Sequence, residues 1–145
     1  MRNFVKITFR LRQDENGFSP PVETLWGKET NHPRNFIIDS IPFFTTDVSH
    51  GDIVETVCEG KRVWAERVAR KSGNSLIRVH FLDKSIYSEV KKDLELSGCK
   101  SEWLDRYQIL AISIPPGTDL SKIQEYLESK ARTGLIEFEE LVLRH

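Results

Sequence analysis

The sequence has few cysteines, no long apolar run and no large excess of charge of either sign. Its two cysteines, Cys58 and Cys99, form no CxxC pair within 145 residues, which argues against a disulfide framework and for reduced thiols. No stretch of about 18 apolar residues occurs, so no membrane span is expected. The first residues also lack the apolar core of a signal peptide. These features predict a cytoplasmic protein.

The charges balance almost completely, with 21 basic and 22 acidic side chains and a net charge of −1. A general nucleic-acid binder usually carries a basic excess or a basic stripe. The composition therefore disfavours nucleic acid as the partner, although it says nothing about which other partner is bound.

The sequence motifs that bind phosphates and metals are also missing. Neither GxGxxG nor GxxxxGK[ST] occurs in the chain, so no nucleotide cofactor is expected. The four histidines, His32, His50, His80 and His145, are isolated from one another. None has the i, i+4 or HxH spacing that prepares a metal site. We therefore predict a protein with neither cofactor nor metal.

The first half of the chain is typical of β-structure. Val5, Ile7, Phe9 and Leu11 alternate with polar residues, as in a half-buried strand. Further strands are predicted, before tight turns, at 22–26, 36–41, 52–58 and 62–70. Five short strands with tight turns indicate a small, strongly twisted sheet or a partial barrel.

The second half of the chain alternates strands with amphipathic helices. Ile86, Val90 and Leu94 recur every four residues, which predicts a first helix. Leu120, Ile123 and following apolar positions predict a second. The order strand, helix, short strand, strand, helix, strand is that of a ferredoxin-like βαββαβ sandwich.

Together these patterns predict an α+β fold with two subdomains. A β-rich N-terminal subdomain, residues 1–74, is expected to pack on a ferredoxin-like C-terminal subdomain, residues 75–145. About 70 residues is marginal for an independently stable domain, so we expect the two parts to share one core.

Several separated segments carry a family resemblance. They are Lys6–Phe9, Val22–Trp26, Asp39–Phe44, Gly51–Val54, Ser72–Ser75, Ile77–Val79 and Ile114–Pro116. In order and spacing the chain resembles a bacterial family of unknown function, the domain numbered 4265. The resemblance implies a stand-alone bacterial protein and no particular activity. Small uncharacterised proteins of this kind often act as immunity proteins of bacterial toxin systems.

The segment from Ile41 to Phe44 is the least regular part of the first half. Pro42 cannot donate to a sheet ladder, so a strand has to end or bulge there. Phe43 and Phe44 cannot both face one core from a regular strand. Either the chain twists and buries both rings, or one ring lines a partner surface.

Two pairs of residues are candidates for acid–base chemistry or ligand binding. His50 and Asp52 flank Gly51, which suits an acid–base pair or, more simply, a turn in which Asp52 accepts backbone N–H groups. Arg78 and His80 share the strand face opposite Ile77, Val79 and Phe81 and could contact a ligand.

Cys58 and Cys99 are both expected to be buried structural thiols.

The last predicted strand is locally acidic. Glu137 and Glu139 lie two residues apart, with Glu125 and Glu128 on the preceding helix. A solvated face explains this composition, and so does an acidic surface that docks a basic toxin.

These observations leave three functional hypotheses. The leading hypothesis is a non-enzymatic, protein-binding role, with toxin neutralisation by an immunity protein as its specific version. The second is a small-molecule sensor that uses Asp52, Arg78 and His80. The third is a small hydrolase or transferase that uses His50 and Asp52. The oligomeric state cannot be derived from the sequence.

Overall fold

The computed structural model describes residues 3–12 and 20–145, and it is an α+β structure. Its main elements are two mainly antiparallel sheets, of five and four strands, and two α-helices. The chain divides into two compact units, Met1–Ser72 and Gly73–His145. None of the helices in the described part of the chain is long and apolar enough to span a membrane.

The first unit is a five-stranded barrel. Its strands are β1 (Phe4–Arg10), β2 (Val22–Glu29), β3 (Asn35–Ile38), β4 (Ile53–Glu59) and β5 (Arg62–Arg70). Consecutive strands pair antiparallel, and β1 pairs parallel with β5. A meander with an odd number of strands brings its first and last strands together in the same direction. The barrel is therefore closed, whereas the sequence predicted a small, strongly twisted sheet or a partial barrel.

Alternate side chains of these strands fill the barrel. Inward-facing apolar residues form one cluster, consisting of Ile7, Phe9, Leu25, Phe36, Ile38, Val48 and Val54. Gly27 lies in the same interior. A Cβ atom at Gly27 would lie 2.3 Å from Ile7 Cδ1 and 3.0 Å from the Cβ of Phe36. Glycine is thus required here by the close approach of three strands.

The second unit is a four-stranded sheet with two helices. Its elements are β6 (Ser75–Phe81), α1 (Tyr87–Leu96), β7 (Lys100–Leu104), β8 (Ile109–Ile114), α2 (Leu120–Ala131) and β9 (Ile136–Val142). The strand order is β7-β8-β6-β9. The short extended segment predicted after Cys99 is confirmed as an edge strand, β7.

Polar caps and glycines set the limits of the two helices. The Asp119 carboxylate accepts the Ser121 N–H at 3.0 Å, which caps the start of α2. Asp83 instead caps a short 3₁₀ turn that precedes α1, through the N–H of Ser85. Gly98 and Gly134 follow the helices with φ of 100° and 78°, the left-handed conformation that glycine adopts without strain.

Each unit contains a hydrophobic cluster. In the second unit both helices and one face of the sheet contribute to a single cluster. Val90 of α1 and Leu127 of α2 pack there with Ile77 and Leu110 of the sheet. Each unit has about 70 residues. Closure of the barrel gives the first unit a buried interior, and the two helices that cover the sheet give one to the second.

Replacing Gly27 with alanine should destabilise the barrel, because the added methyl group has no space beside Ile7 and Phe36. The expected cost is about 1–3 kcal/mol of unfolding free energy, measured by urea denaturation. Gly117→Ala is the control, since a Cβ there would meet nothing within 4 Å. Equal stabilities of the two variants would contradict the packing described for the barrel.

Candidate functional site

The irregular segment after β3 is held by a single buried carboxylate. Glu23 of β2 is only 8% exposed. Its Oε2 accepts the Phe43 N–H at 2.6 Å, and its Oε1 accepts those of Phe44 and Thr45 at 3.2 and 3.0 Å. These three hydrogen bonds compensate for the burial of the carboxylate. Glu23 therefore fixes the backbone of this loop.

The two aromatic residues of this loop differ in their exposure to solvent. Phe44 is buried, at 7% exposure, whereas Phe43 is half-buried. β3 already ends at Ile38, three residues earlier than the predicted strand, and Pro42 lies in the loop. The structure thus places one ring inside and one nearer the surface.

His50 and Asp52 belong to a tight turn at the start of β4. Gly51 has φ of 85°. The Asp52 carboxylate is fully buried and accepts the N–H groups of Ser49 and Ser72 at 2.9 and 2.8 Å. The turn interpretation of this motif is confirmed. Because both carboxylate oxygens bond to backbone, Asp52 is poorly suited to act as a base on a substrate.

Arg78 and His80 lie on the sheet face opposite the helices, as their alternation predicts. Arg78 is 8% exposed and donates to the Glu139 carboxylate at 3.0 Å. In the β6–β9 register Arg78 is opposite Glu139, and His80 is opposite Glu137. The structure therefore brings these four predicted residues together as two cross-strand pairs. Arg78 and Glu139 are a pair of opposite charge, which stabilises a sheet.

The acidic run of β9 is divided between two faces. Glu137 and Glu139 lie on the face of Arg78, whereas Glu140 accepts a hydrogen bond from Gln124 of α2 at 2.6 Å. Strand alternation separates neighbouring glutamates. Glu137 and Glu139, the two predicted partner-binding glutamates, therefore share one face of the sheet.

The two cysteines occupy different environments. Cys99 is buried, and desolvation raises the pKa of its thiol to about 11, which makes it a poor nucleophile. Cys58 is exposed at the end of β4, so the prediction that it is buried is wrong. Within the residues that the structure describes, no group of three or more histidine, cysteine or acidic side chains could hold a metal ion.

The outer surface of β5, β1 and β2 carries a set of residues that the sequence did not single out. We call it the cation–tryptophan face, defined by Lys6, Arg10, Trp26, Arg62 and Trp64. Trp26 is 46% exposed and Trp64 is half-buried. Lys6 Nζ lies 5.4 Å from the centroid of the Trp26 ring. Arg10 Cζ and Arg62 Cζ lie 3.9 and 5.5 Å from that of Trp64.

Strand register explains why these side chains meet. Lys6 of β1 is directly opposite Trp26 of β2, and Thr8 is opposite both Thr24 and, across the closing pair of strands, Trp64 of β5. The two tryptophans therefore lie on either side of β1. Beside them is a depression of about 490 Å³, whose lining includes Lys6, Thr8, Thr24, Lys61 and Arg62.

Part of this face could be predicted from the sequence. The alternation that directs Ile7 and Leu25 inward also directs Lys6 and Trp26 outward. The pairing of β1 with β5 involves residues more than 50 positions apart and has no local signal. The role of Glu23 could also have been predicted, because Glu23 occupies an inward position of β2, where an acidic side chain needs buried hydrogen-bond partners.

Fold and site together define a two-unit α+β protein with a closed five-stranded barrel and a cation–tryptophan surface on it. The chain belongs to the family described as "Domain of unknown function (DUF4265)", whose model matches residues 23–138. This match confirms the resemblance seen in the sequence.

The fold is shared with a protein of known structure. The chain is 20% identical to a hypothetical protein from Neisseria gonorrhoeae, with a TM-score of 0.77. The alignment covers 100% of this chain and 97% of the other. At this identity the similarity concerns the fold alone. No curated protein matches the chain.

Replacing Glu23 with glutamine should release the loop after β3. The amide nitrogen of glutamine cannot accept the backbone N–H groups that the carboxylate accepts, so at least one buried donor loses its partner. We expect a loss of about 2 kcal/mol in unfolding free energy and faster hydrogen exchange at Phe43, Phe44 and Thr45. Glu55→Gln, which removes the ion pair with the largely exposed Arg67, should cost less than about 1 kcal/mol. Unchanged exchange at the three amides would contradict the role of Glu23.

Only one of the two thiols should react with a disulfide reagent at about pH 8 in the native protein. Cys58 is accessible, whereas Cys99 is both buried and protonated at that pH, because its pKa is raised to about 11. Titration with Ellman's reagent should give one fast thiol, and a second only after unfolding. The Cys58→Ser variant should give none while folded. Rapid reaction of that variant would show that Cys99 is accessible.

Proposed function

We propose that this protein acts without catalysis, by binding another protein through the cation–tryptophan face. Tryptophan and arginine are the residue types most enriched among those that dominate binding energy at protein interfaces. On this face two tryptophans and two arginines lie within one surface of three adjacent strands. This concentration is the observation that carries the proposal.

The cations also prepare the surface for binding. A cation over an aromatic ring is stabilised by about 0.5–1 kcal/mol at exposed sites. Side chains that are already ordered lose less conformational entropy when a partner arrives. Lys6, Arg10 and Arg62 each lie over a tryptophan ring, so the face is partly organised before binding.

The specific version of the proposal is an immunity protein that neutralises a bacterial toxin in the cytoplasm. Such a protein has to bind quickly and tightly, and a charged surface complementary to its partner speeds association. The two free cysteines support a reducing compartment.

We further assign the second unit to the ferredoxin-like class. Its strand order β7-β8-β6-β9, with the helices between β6 and β7 and between β8 and β9, supports this assignment. The packing of both helices in one cluster with one sheet face supports it as well.

The geometry favours neither of the two alternative functions. Both the small-molecule sensor and the hydrolase need the carboxylate of Asp52, which is fully buried and accepts two backbone N–H groups. The sensor also needs Arg78, whose guanidinium already pairs with Glu139.

Truncating either tryptophan of the face should weaken the binding of the protein partner. Tagged full-length chain, purified from its native host, should retain one partner at near-stoichiometric ratio, and the Trp26→Ala and Trp64→Ala variants should lose it. With the purified partner, calorimetry should show a loss of about 30-fold in affinity, equivalent to about 2 kcal/mol.

The control for this experiment is Leu96→Ala, which removes an apolar side chain that is 77% exposed on the second unit. Circular dichroism should show that all three variants remain folded. If both tryptophan variants keep the partner, or if the unmodified protein captures none, the proposed function is wrong. For the immunity version, co-expression should restore the growth of cells that produce a toxin encoded beside this gene.

A further inference from the structure

The cation–tryptophan face has more positive charge than its own carboxylates neutralise. Arg10 pairs with Glu59 at 3.6 Å, and both side chains are at least 60% exposed. Among the described residues, Lys6 and Arg62 have no carboxylate within the 4.0 Å distance of an ion pair. The depression beside the tryptophans is lined by Lys6, Lys61 and Arg62 and, within the described part of the chain, by no acidic side chain.

The arginines on this face are suited to bind carboxylates. A guanidinium has five N–H donors in a planar fork that matches a carboxylate, and it stacks on aromatic rings. Arg10 and Arg62 lie over Trp64, so the ring supports the cation while N–H groups remain available for other acceptors. Charge-assisted pairs with a fork geometry are roughly twice as strong as neutral hydrogen bonds.

We infer that the face binds an acidic segment of the protein partner, an inference that rests on the proposed function. Carboxylates of the segment pair with Lys6, Arg62 and Arg10, and its apolar side chains contact the exposed part of Trp26. The hydroxyl of Thr24, which is exposed beside the depression, supplies a neutral donor for the partner's backbone.

The same cations would also attract the phosphates of a nucleic acid, but two observations favour a protein segment. Proteins that bind single strands stack bases on open aromatic faces, and Arg10 at 3.9 Å from the Trp64 centroid already occupies such a face. The chain as a whole carries 21 basic and 22 acidic side chains, so it lacks the long-range positive field of a nucleic-acid binder.

The experiment compares three fluorescein-labelled probes by fluorescence anisotropy with the full-length protein. The probes are an acidic peptide made of Glu-Phe-Glu repeats, a basic peptide made of Lys-Phe-Lys repeats, and an oligothymidylate. We expect saturable binding of the acidic peptide only, weakening as the salt concentration rises.

Charge reversal on the face should weaken this binding. Lys6→Glu and Arg62→Glu should each weaken the acidic peptide at least tenfold, equivalent to about 1.4 kcal/mol. Arg62→Lys keeps the charge but loses the planar fork, so its affinity should fall between that of Arg62→Glu and the unmodified protein. Lys92→Glu, on an exposed position of α1, makes the same change in net charge and should leave the affinity unchanged.

The outcomes separate this inference from the proposed function. Tighter binding of oligothymidylate than of the acidic peptide, lost in Lys6→Glu, would identify a nucleic-acid surface and overturn the inference. Peptide binding that Lys6→Glu and Arg62→Glu leave unchanged would also overturn it. If the acidic peptide does not bind but Trp26→Ala still releases the native partner, the inference fails and the proposed function stands. If the tryptophan variants retain the native partner, both fail.

Discussion

The parallel pairing of β1 with β5 is the constraint on which the first unit depends. Only two residue pairs, Ile7 with Val63 and Thr8 with Trp64, define its register. These pairs close the barrel and enclose the apolar cluster around Ile7. They also bring Trp64 beside a strand that lies far from it in the sequence. The interior and the cation–tryptophan face are therefore two consequences of one strand pairing.

Local patterns in the sequence predicted the elements better than their assembly. Alternation and capping residues predicted the nine strands and two α-helices found in the described residues. The end of β2 lies three residues beyond its predicted position, and the end of β3 lies three residues before it. That strand ends at Ile38 because the chain turns away to the loop that Glu23 holds, a contact between residues about 20 positions apart. Barrel closure and the separate clusters depend on similar long-range contacts, which periodicity does not encode.

The candidate site was less predictable than the fold, for a related reason. Asp52, Arg78 and Glu139 were selected as polar residues in unusual positions, and the structure uses all three in internal hydrogen bonds. Lys6, Trp26 and Trp64 are unremarkable one at a time in the sequence. Their chemistry arises only when three strands place them on one surface. The polar residues that stand out in this sequence thus form hydrogen bonds within the fold. The proposed binding surface, in contrast, exists only once three strands have assembled.

The hydrogen bonds of Glu23 have a consequence for how this protein can change during evolution. The carboxylate binds main-chain N–H groups, which every residue except proline possesses, so these three bonds do not depend on which side chains stand at positions 43 to 45. One inward-facing acid on β2 thereby fixes the backbone of the loop without using any of its side chains. The half-buried position 43 is therefore free to change without loss of the loop path, whereas the buried ring of Phe44 stays tied to the packing around it.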